Sequence, residues 1–366
     1  MKTQKIKTIG VLTGGGDCPG LNAVIRAVAK AAMAKYGLEV WGIEDGYLGL
    51  IENRMRQLRS HDVSGILTVG GTILGTSNTS DPFHFAIHKN GSEKYADVSA
   101  KCIEHLRGRG IDAMFCIGGD GTMASAAKFA KLGIPVMGIP KTIDNDLVGT
   151  DVTFGFNTAV TTATEAIDKL HTTASSHHRI MIIEVMGRYA GWIALYAGMA
   201  GGADVILIPE MPYRLDKIEQ CVRERAHHGK RFSIICVAEG AKEKGGQMVV
   251  GQRVKGSPDP IRLGGIANKL QYDIQKLTGL EARAVILGHI QRGGTPSPYD
   301  RVLATNFGYT AISMLMEHGV KNHLVVLKDN KYTSIPLAKV AGKIKNVPKD
   351  HPLIKAALAI KTSFGV

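Results

Sequence analysis

The chain has 366 residues, 44% hydrophobic and 21% charged, with a formal net charge of +13, enough for two domains and biased toward anionic partners. No apolar run approaches the roughly 20 residues that a membrane-spanning helix needs, so no membrane partner is expected. The basic residues are dispersed and match no finger, basic-zipper or RNA-binding signature, so nucleic acid is not an expected partner.

The charged stretch Met1 to Lys7 leads directly into an apolar strand at 8–12 and does not read as a signal peptide. Five scattered cysteines without a CxxC pair suit a reducing compartment, so a cytoplasmic location is expected. Gly14-Gly15-Gly16-Asp17-Cys18-Pro19-Gly20 follows the strand, then a helix at 21–36 with Leu21, Val24, Ile25, Val28 and Met33 near one face. Strand, glycine loop and helix in that order can hold a phosphate at the helix N-terminus. The same glycines also serve an ordinary tight turn. A second strand is expected at 38–43 and a turn at 45–50. The polar loop 70–79 reads as another phosphate-facing edge, 81–95 as a surface excursion, and 98–110 as a helix.

A buried strand at 111–117 runs into Gly118-Gly119-Asp120-Gly121-Thr122 and an alanine-rich helix ending at Leu132. Glycines let backbone N–H groups approach phosphate oxygens, and a carboxylate at a strand end can hold a Mg²⁺ ion that bridges two phosphates. The plainer reading is a strand-to-helix turn with an aspartate cap. The apolar run 134–139 then meets Pro140, which disfavours a helix, so Pro140 to Asp146 reads as a strand end opening into a loop. Asp144 and Asp146 face the same way if that loop stays extended. With Lys141 and Thr142 just ahead, the set suits phosphoryl transfer. One acid takes the proton of an attacking hydroxyl, one touches a metal, and a cation meets the phosphate. A turn whose Asp and Asn cap the backbone is the alternative.

Further on, helices are expected at 159–174, 218–228, 266–278 and 302–317. Strands are expected at 180–185, 205–208, 232–238, 284–287 and, as the last, 324–327. The polar span 242–259 reads as an exposed loop or ribbon, and the tail from 336 as one or two helices on the outside. Alternating strands and helices give an α/β chain: two Rossmann-like lobes with mainly parallel sheets facing a central cleft.

The stretches Gly14 to Asn22, Gly118 to Thr122, Pro140 to Asp146, Met186-Gly187-Arg188 and Gly288 to Gly294 together resemble the 6-phosphofructokinases, over about residues 6–328. Gly-Gly-Asp-Gly-Thr alone is less specific, since NAD kinases and diacylglycerol kinases carry a similar stretch. The added excursions and tail are similar to the mixed-substrate branch, whose members use ATP or pyrophosphate. The resemblance implies transfer of the ATP γ-phosphate to the 1-hydroxyl of fructose 6-phosphate, with Mg²⁺ as cofactor. It implies Asp144 as the base, with Lys141 and Thr142 beside it. Gly16, Asn78, Thr79, Gly119, Asp120, Gly121 and Thr122 would line the phosphoryl-donor site, with Asp120 as the Mg²⁺ ligand and Asp146 a second contact. Thr142, Ile143, Met186, Gly187, Arg188, Glu239, His289, Ile290, Gln291 and Arg292 would hold the sugar phosphate. Arg179 and Arg283 would reach it from a neighbouring subunit of a homodimer or homotetramer. The donor lobe would comprise 1–156 with about 293–330, and the sugar lobe 157–292 with the tail 331–366.

Two positions depart from the family pattern, and two others disagree about the donor. Asn78 stands where ATP enzymes carry an arginine that bridges donor and acceptor phosphates, which leaves Lys141 as the candidate cation. His171 stands where an effector-pocket arginine is expected beside Arg26, Arg54, Lys230 and Arg231, so weak or no regulation by ADP or phosphoenolpyruvate is expected. Pyrophosphate users carry aspartate where this chain has Gly121, and a lysine where it has Lys141. A carboxylate at 121 would repel the nucleotide α-phosphate, whereas Lys141 excludes nothing, so ATP is the expected donor and pyrophosphate the alternative. Two other readings are a kinase of a different acceptor and a non-catalytic metabolite- or nucleic-acid-binding protein. Arg179, Arg188, Arg283 and Arg292 favour an acceptor that already carries phosphate, and Asp120, Asp144 and Asp146 favour catalysis.

Overall fold

The computed structural model describes residues 6–89, 92–253 and 261–366. All six residues of Thr8–Thr13, Ala113–Gly118, Ile180–Val185 and Ser233–Ala238 are buried. Strands without a solvent face need helices on both sides, and a parallel sheet supplies that arrangement. Two such sheets form. The larger has the order Lys331–Pro336, His323–Lys328, Val136–Thr142, Ala113–Gly118, Thr8–Thr13, Glu39–Ile43, Met55–Leu58, with Phe154–Gly155 pairing beside Val136–Thr142. Only its two edge strands run antiparallel to their neighbours. The smaller has the order Val205–Leu207, Ser233–Ala238, Ile180–Val185, Ala282–Ile286 and is parallel throughout. Two antiparallel ribbons stand apart, Phe85–Lys89 with Ser92–Ala96 and Val250–Arg253 with Ile261–Leu263.

A continuous apolar core joins the lobes. It runs from Ile9, Val11 and Phe115 through Phe156 and Ile167 of the helix Phe156–His177 to Ile183, Ile206 and Cys236. The helix Pro298–His318 packs on Leu21–Tyr36 at very short range. A Cβ at Gly308 would lie 2.8 Å from Ala27 Cβ and 2.9 Å from the Val24 carbonyl oxygen, so that position has no room for a side chain. No helix among the described residues is long and apolar enough to cross a membrane.

Several elements differ from the sequence reading. The expected turn at 45–50 contains a short helix, Tyr47–Glu52, anchored by the Tyr47 hydroxyl donating to the Thr122 carbonyl at 3.0 Å. Six residues are too few to show a helical period. The helix Trp192–Ala200 has no counterpart in that reading, because it is apolar nearly all round and so lacks an amphipathic stripe. Strand 324–327 is not the last. Asp329 and Asn330, at φ 49° and 61°, form the left-handed pair of a tight hairpin and return the chain as Lys331–Pro336.

The tail is divided between the lobes rather than packed outside the sugar lobe. Residues 331–336 complete the larger sheet, and Leu337 and Val340 pack with Met123 and Phe129. Ser363 bonds both Asp204 and Ile206 and so extends the smaller sheet, and Phe364 is buried. Of the span 242–259 expected as loop or ribbon, Val250–Arg253 is a ribbon strand and 254–259 lie outside the described residues.

Candidate active site

Each sheet sends its carboxyl-end loops into one cleft of about 960 Å³. In the larger sheet the chain leaves Thr8–Thr13 toward one neighbour and returns on its other side, a switch point that opens a crevice between the two loops. Gly15, Gly16, Asp17, Thr76 and Asn78 line one part of that wall, and Gly119, Asp120, Gly121 and Thr122 the other. The loops are tied together. Asn22 donates to the carbonyls of Val69 and Gly70 and accepts from Ile73 N–H at 2.8 Å. Gly14 N–H donates to Ile117, Gly15 N–H to Ser77, and the Thr13 hydroxyl to Gly75. Asp120 opens the helix Asp120–Lys131, whose first N–H groups have no intrahelical acceptor. Asp120 and Gly121 are both exposed there, and a Cβ at Gly121 would meet nothing within 4 Å.

The acidic loop follows Val136–Thr142, which continues straight through Pro140. Proline is tolerated because its neighbour His323–Lys328 pairs only with Met137 and Gly138, leaving Pro140 laddered on one side. Beyond Thr142 the loop is not extended. Asn145 turns it with φ 51° and accepts from Thr153 N–H at 3.1 Å, and through this kink both acids line the cleft. Asp144 N–H donates to the Thr142 hydroxyl at 3.1 Å. Asp144 Oδ1 is buried without a hydrogen-bond partner among the described residues. Burial raises the affinity of Asp144 for a proton, opposed by the charges of Arg292 and Lys141. Asp146 is raised by burial and then by the charges of Asp144 and Asp120. Lys141 is buried, its ammonium donates to the Gly16 carbonyl, and burial pushes its pKa the other way, below the usual lysine range.

The smaller sheet supplies the opposite wall: Met186, Arg188 and Tyr189 after Ile180–Val185, Glu239 after Ser233–Ala238, and His289 and Arg292 after Ala282–Ile286. The Arg188 guanidinium lies 5.0 Å over the Tyr189 ring. Burial raises the Glu239 carboxyl, while Arg292 and Arg188 pull it back. Arg292 spans the cleft. Its Nη1 donates to the Asp17 carbonyl at 3.2 Å, and any side chain at Gly16 would collide with its guanidinium.

Seven candidate positions lie outside the lining. Ile143 belongs to the apolar core. Gln291 is fully buried, accepting from Met186 N–H at 3.3 Å and donating to the Gly288 carbonyl, so it fastens two loops instead of facing a ligand. Thr79 and Ile290 are exposed away from the cleft, and Gly187 adopts φ 136° behind it. Arg179 and Arg283 stand at the opposite end of the strands, both paired with Glu281. Conversely Gly15, Asp17, Thr76, Tyr189, Gln252, Leu263 and Ile344 line the cleft and were not candidates. Gly15 and Asp17 lie within the Gly14 to Asn22 stretch and Tyr189 directly follows Met186-Gly187-Arg188, so those motifs are the signal that points to them. Gln252, Leu263 and Ile344 carry no local signal. His171 is engaged within the smaller lobe, donating to the Gly201 carbonyl at 2.6 Å.

Among the described residues no three His, Cys, Asp or Glu side chains converge as a metal-chelating group. A Mg²⁺ ion commonly takes one or two carboxylates, with phosphate oxygens and waters completing the shell, and the exposed Asp120 beside open glycines fits that donor set.

Residues 8–315 match the family model described as Phosphofructokinase. The chain is 54% identical over 363 residues to "ATP-dependent 6-phosphofructokinase 2" of Clostridium perfringens, covering 99% of each chain. It superposes on phosphofructokinase of Pichia pastoris in the T-state with a TM-score of 0.78 and 29% identity, spanning 99% of this chain and 37% of that longer one. Pyrophosphate-dependent phosphofructokinase from Marinobacter aquaeolei shares the fold, with a TM-score of 0.80 and 22% identity over 98% of this chain and 92% of its own. That last likeness shows the fold alone, whereas the relative at 54% identity is named ATP-dependent.

Proposed function

The chain belongs to the phosphofructokinase family, and on that premise we propose that its cleft transfers the γ-phosphoryl group of ATP to the 1-hydroxyl of fructose 6-phosphate. The products are fructose 1,6-bisphosphate and ADP. The observation that carries this reading is the buried, unpartnered Oδ1 of Asp144, set between a glycine-lined helix N-terminus and a wall bearing Arg188 and Arg292. A carboxylate so placed takes the hydroxyl proton as the sugar oxygen attacks phosphorus and the bond to the ADP oxygen breaks. The raised proton affinity of Asp144 makes it a stronger base than an exposed aspartate.

The larger lobe would bind the donor, with Gly16, Asn78, Gly119, Gly121 and Thr122 facing the phosphates, and Asp120 would hold Mg²⁺. Bound there, Mg²⁺ neutralises phosphate charge. The smaller lobe holds the sugar phosphate through Met186, Arg188, Glu239, His289 and Arg292, arginine's planar fork suiting phosphate. Lys141 touches the donor loop and Arg292 crosses to it, so together they supply the positive charge that Asn78 lacks. Five free cysteines, four of them buried, accord with a reducing cytoplasm.

The test is a coupled assay with fructose 6-phosphate and Mg²⁺, run with ATP and with pyrophosphate side by side. Faster turnover with ATP is expected. Faster turnover with pyrophosphate would overturn the donor assignment, and no turnover with either would overturn the acceptor.

The positions of Arg179 and Arg283, remote from their own cleft, support shared sites in an oligomer. Arg283→Ala and Asp144→Ser subunits, each nearly inactive alone, are expected to regain activity when mixed, because a hybrid contains intact sites. Absence of recovery after verified subunit exchange would mean self-contained sites.

A further inference from the structure

One lysine of the tail is built into the acidic loop without reaching the cleft. Lys345 is half-buried, and its three ammonium hydrogens meet three acceptors. These are Asn145 Oδ1 at 3.1 Å and the carbonyls of Thr150 at 2.9 Å and Asp151 at 3.1 Å. Its own N–H donates to the Asp146 carbonyl at 2.6 Å. Its carbonyl accepts from Trp192 Nε1 at 2.8 Å, and its ammonium lies 5.3 Å over the Trp192 ring. Trp192 opens the helix that follows the Met186–Arg188 loop of the acceptor wall. Two residues on, Val347 N–H donates to Glu210, which also accepts from Gly191 N–H.

Lys345 therefore bonds the loop carrying both acids on one side and the start of an acceptor-wall helix on the other. Asn145 is the critical contact, since its left-handed backbone directs Asp144 and Asp146 into the cleft. We propose that Lys345 is a positioning residue, holding Asn145 in its left-handed turn and fixing the acids against the sugar-phosphate wall. The inference rests on the phosphotransferase reading above. Arginine is a poor substitute, because a planar guanidinium cannot direct three hydrogens at acceptors arranged around one nitrogen.

The experiment compares wild type, Lys345→Met, Lys345→Arg and Lys345→Ala in the ATP assay, with melting temperatures recorded alongside. Misplacement by about 1 Å costs on the order of 10²-fold in rate, so Lys345→Met is expected to lose roughly that in kcat. The KM values for ATP and fructose 6-phosphate should move by less than about threefold, as for an interaction expressed only in the transition state. Lys345→Arg should remain impaired. Lys345→Ala should regain activity with added propylammonium, which replaces the deleted methylenes and ammonium, and should not respond to propanol. An inactive wild type would instead sink the functional reading. A folded Lys345→Met with wild-type kcat, or a folded Lys345→Ala that propylammonium leaves unchanged, would overturn the positioning role.

Discussion

Replacing Asp144 with serine is expected to lower kcat by about 10²–10⁴ and leave the KM for fructose 6-phosphate nearly unchanged. The size follows from the loss of general-base catalysis. The constancy of KM follows from the proposed geometry, in which Arg188, Glu239, His289 and Arg292 on the opposite wall bind the sugar phosphate. Stability gives an independent readout. The proton affinity of Asp144 is raised in the folded state, chiefly by burial. For a carboxyl the sign is then fixed. The ionised group opposes folding above its unfolded pKa, and protonation on acidification relieves that cost. Asp144→Asn removes the buried charge without removing volume. It is expected to match or exceed the wild-type Tm at neutral pH while sharing the catalytic defect. A variant keeping more than half of the parent kcat would remove Asp144 from the role. A clearly lowered Tm for the asparagine variant would show that the buried carboxylate helps hold the loop.

Gly121→Asp is expected to abolish most ATP use with little change in stability. The position is exposed in the first turn of Asp120–Lys131, and an added Cβ meets nothing within 4 Å. An acid there even complements the helix dipole, by about 0.3–1 kcal/mol. Its carboxylate, however, would project where the proposed donor site sets the nucleotide phosphates. Two like charges about 4 Å apart cost about 4 kcal/mol at an effective dielectric of 20, which is about 10³-fold in kcat/KM. Gly121→Ala adds the carbon without the charge and should stay close to wild type. Steady-state kinetics with ATP across the three proteins, with melting curves, decides the matter. Efficient ATP use by the aspartate variant would show that position 121 does not govern donor choice.

How far the site could be read in the sequence depended on distance along the chain. Buried parallel strands read easily, because short apolar runs such as Ala113–Gly118, bounded by turn residues, suit a sheet covered on both faces. The motifs located the loops but not the faces of their residues. Gly288–Arg292 is a 3₁₀ turn, in which residues three apart stand above one another. His289 and Arg292 therefore share the cleft face, while Ile290 turns to solvent and Gln291 to the interior. Ile143, between two cleft residues, likewise points into the core. Asp144 and Asp146 both line the cleft, but the kink at Asn145 and not an extended loop brings them together. Gln252, Leu263 and Ile344 reach the cleft from a ribbon and from the tail, where nothing in their neighbours signals it.

The nesting of one sheet inside the other has a consequence during synthesis. Every strand of the smaller sheet lies between Val136–Thr142 and His323–Lys328, which are neighbours in the larger one. A nascent chain therefore presents the apolar flank of Val136–Thr142, at Met137 and Gly138, without its ladder partner until residue 323 emerges. That gap is about 180 residues, which takes roughly 10–40 s at 5–20 residues per second. An uncovered strand edge is a template for pairing with other chains. The interval before His323–Lys328 arrives is thus when this polypeptide most needs shielding by a chaperone or by low local concentration. Lys345, which locks the acidic loop, emerges only after it has passed.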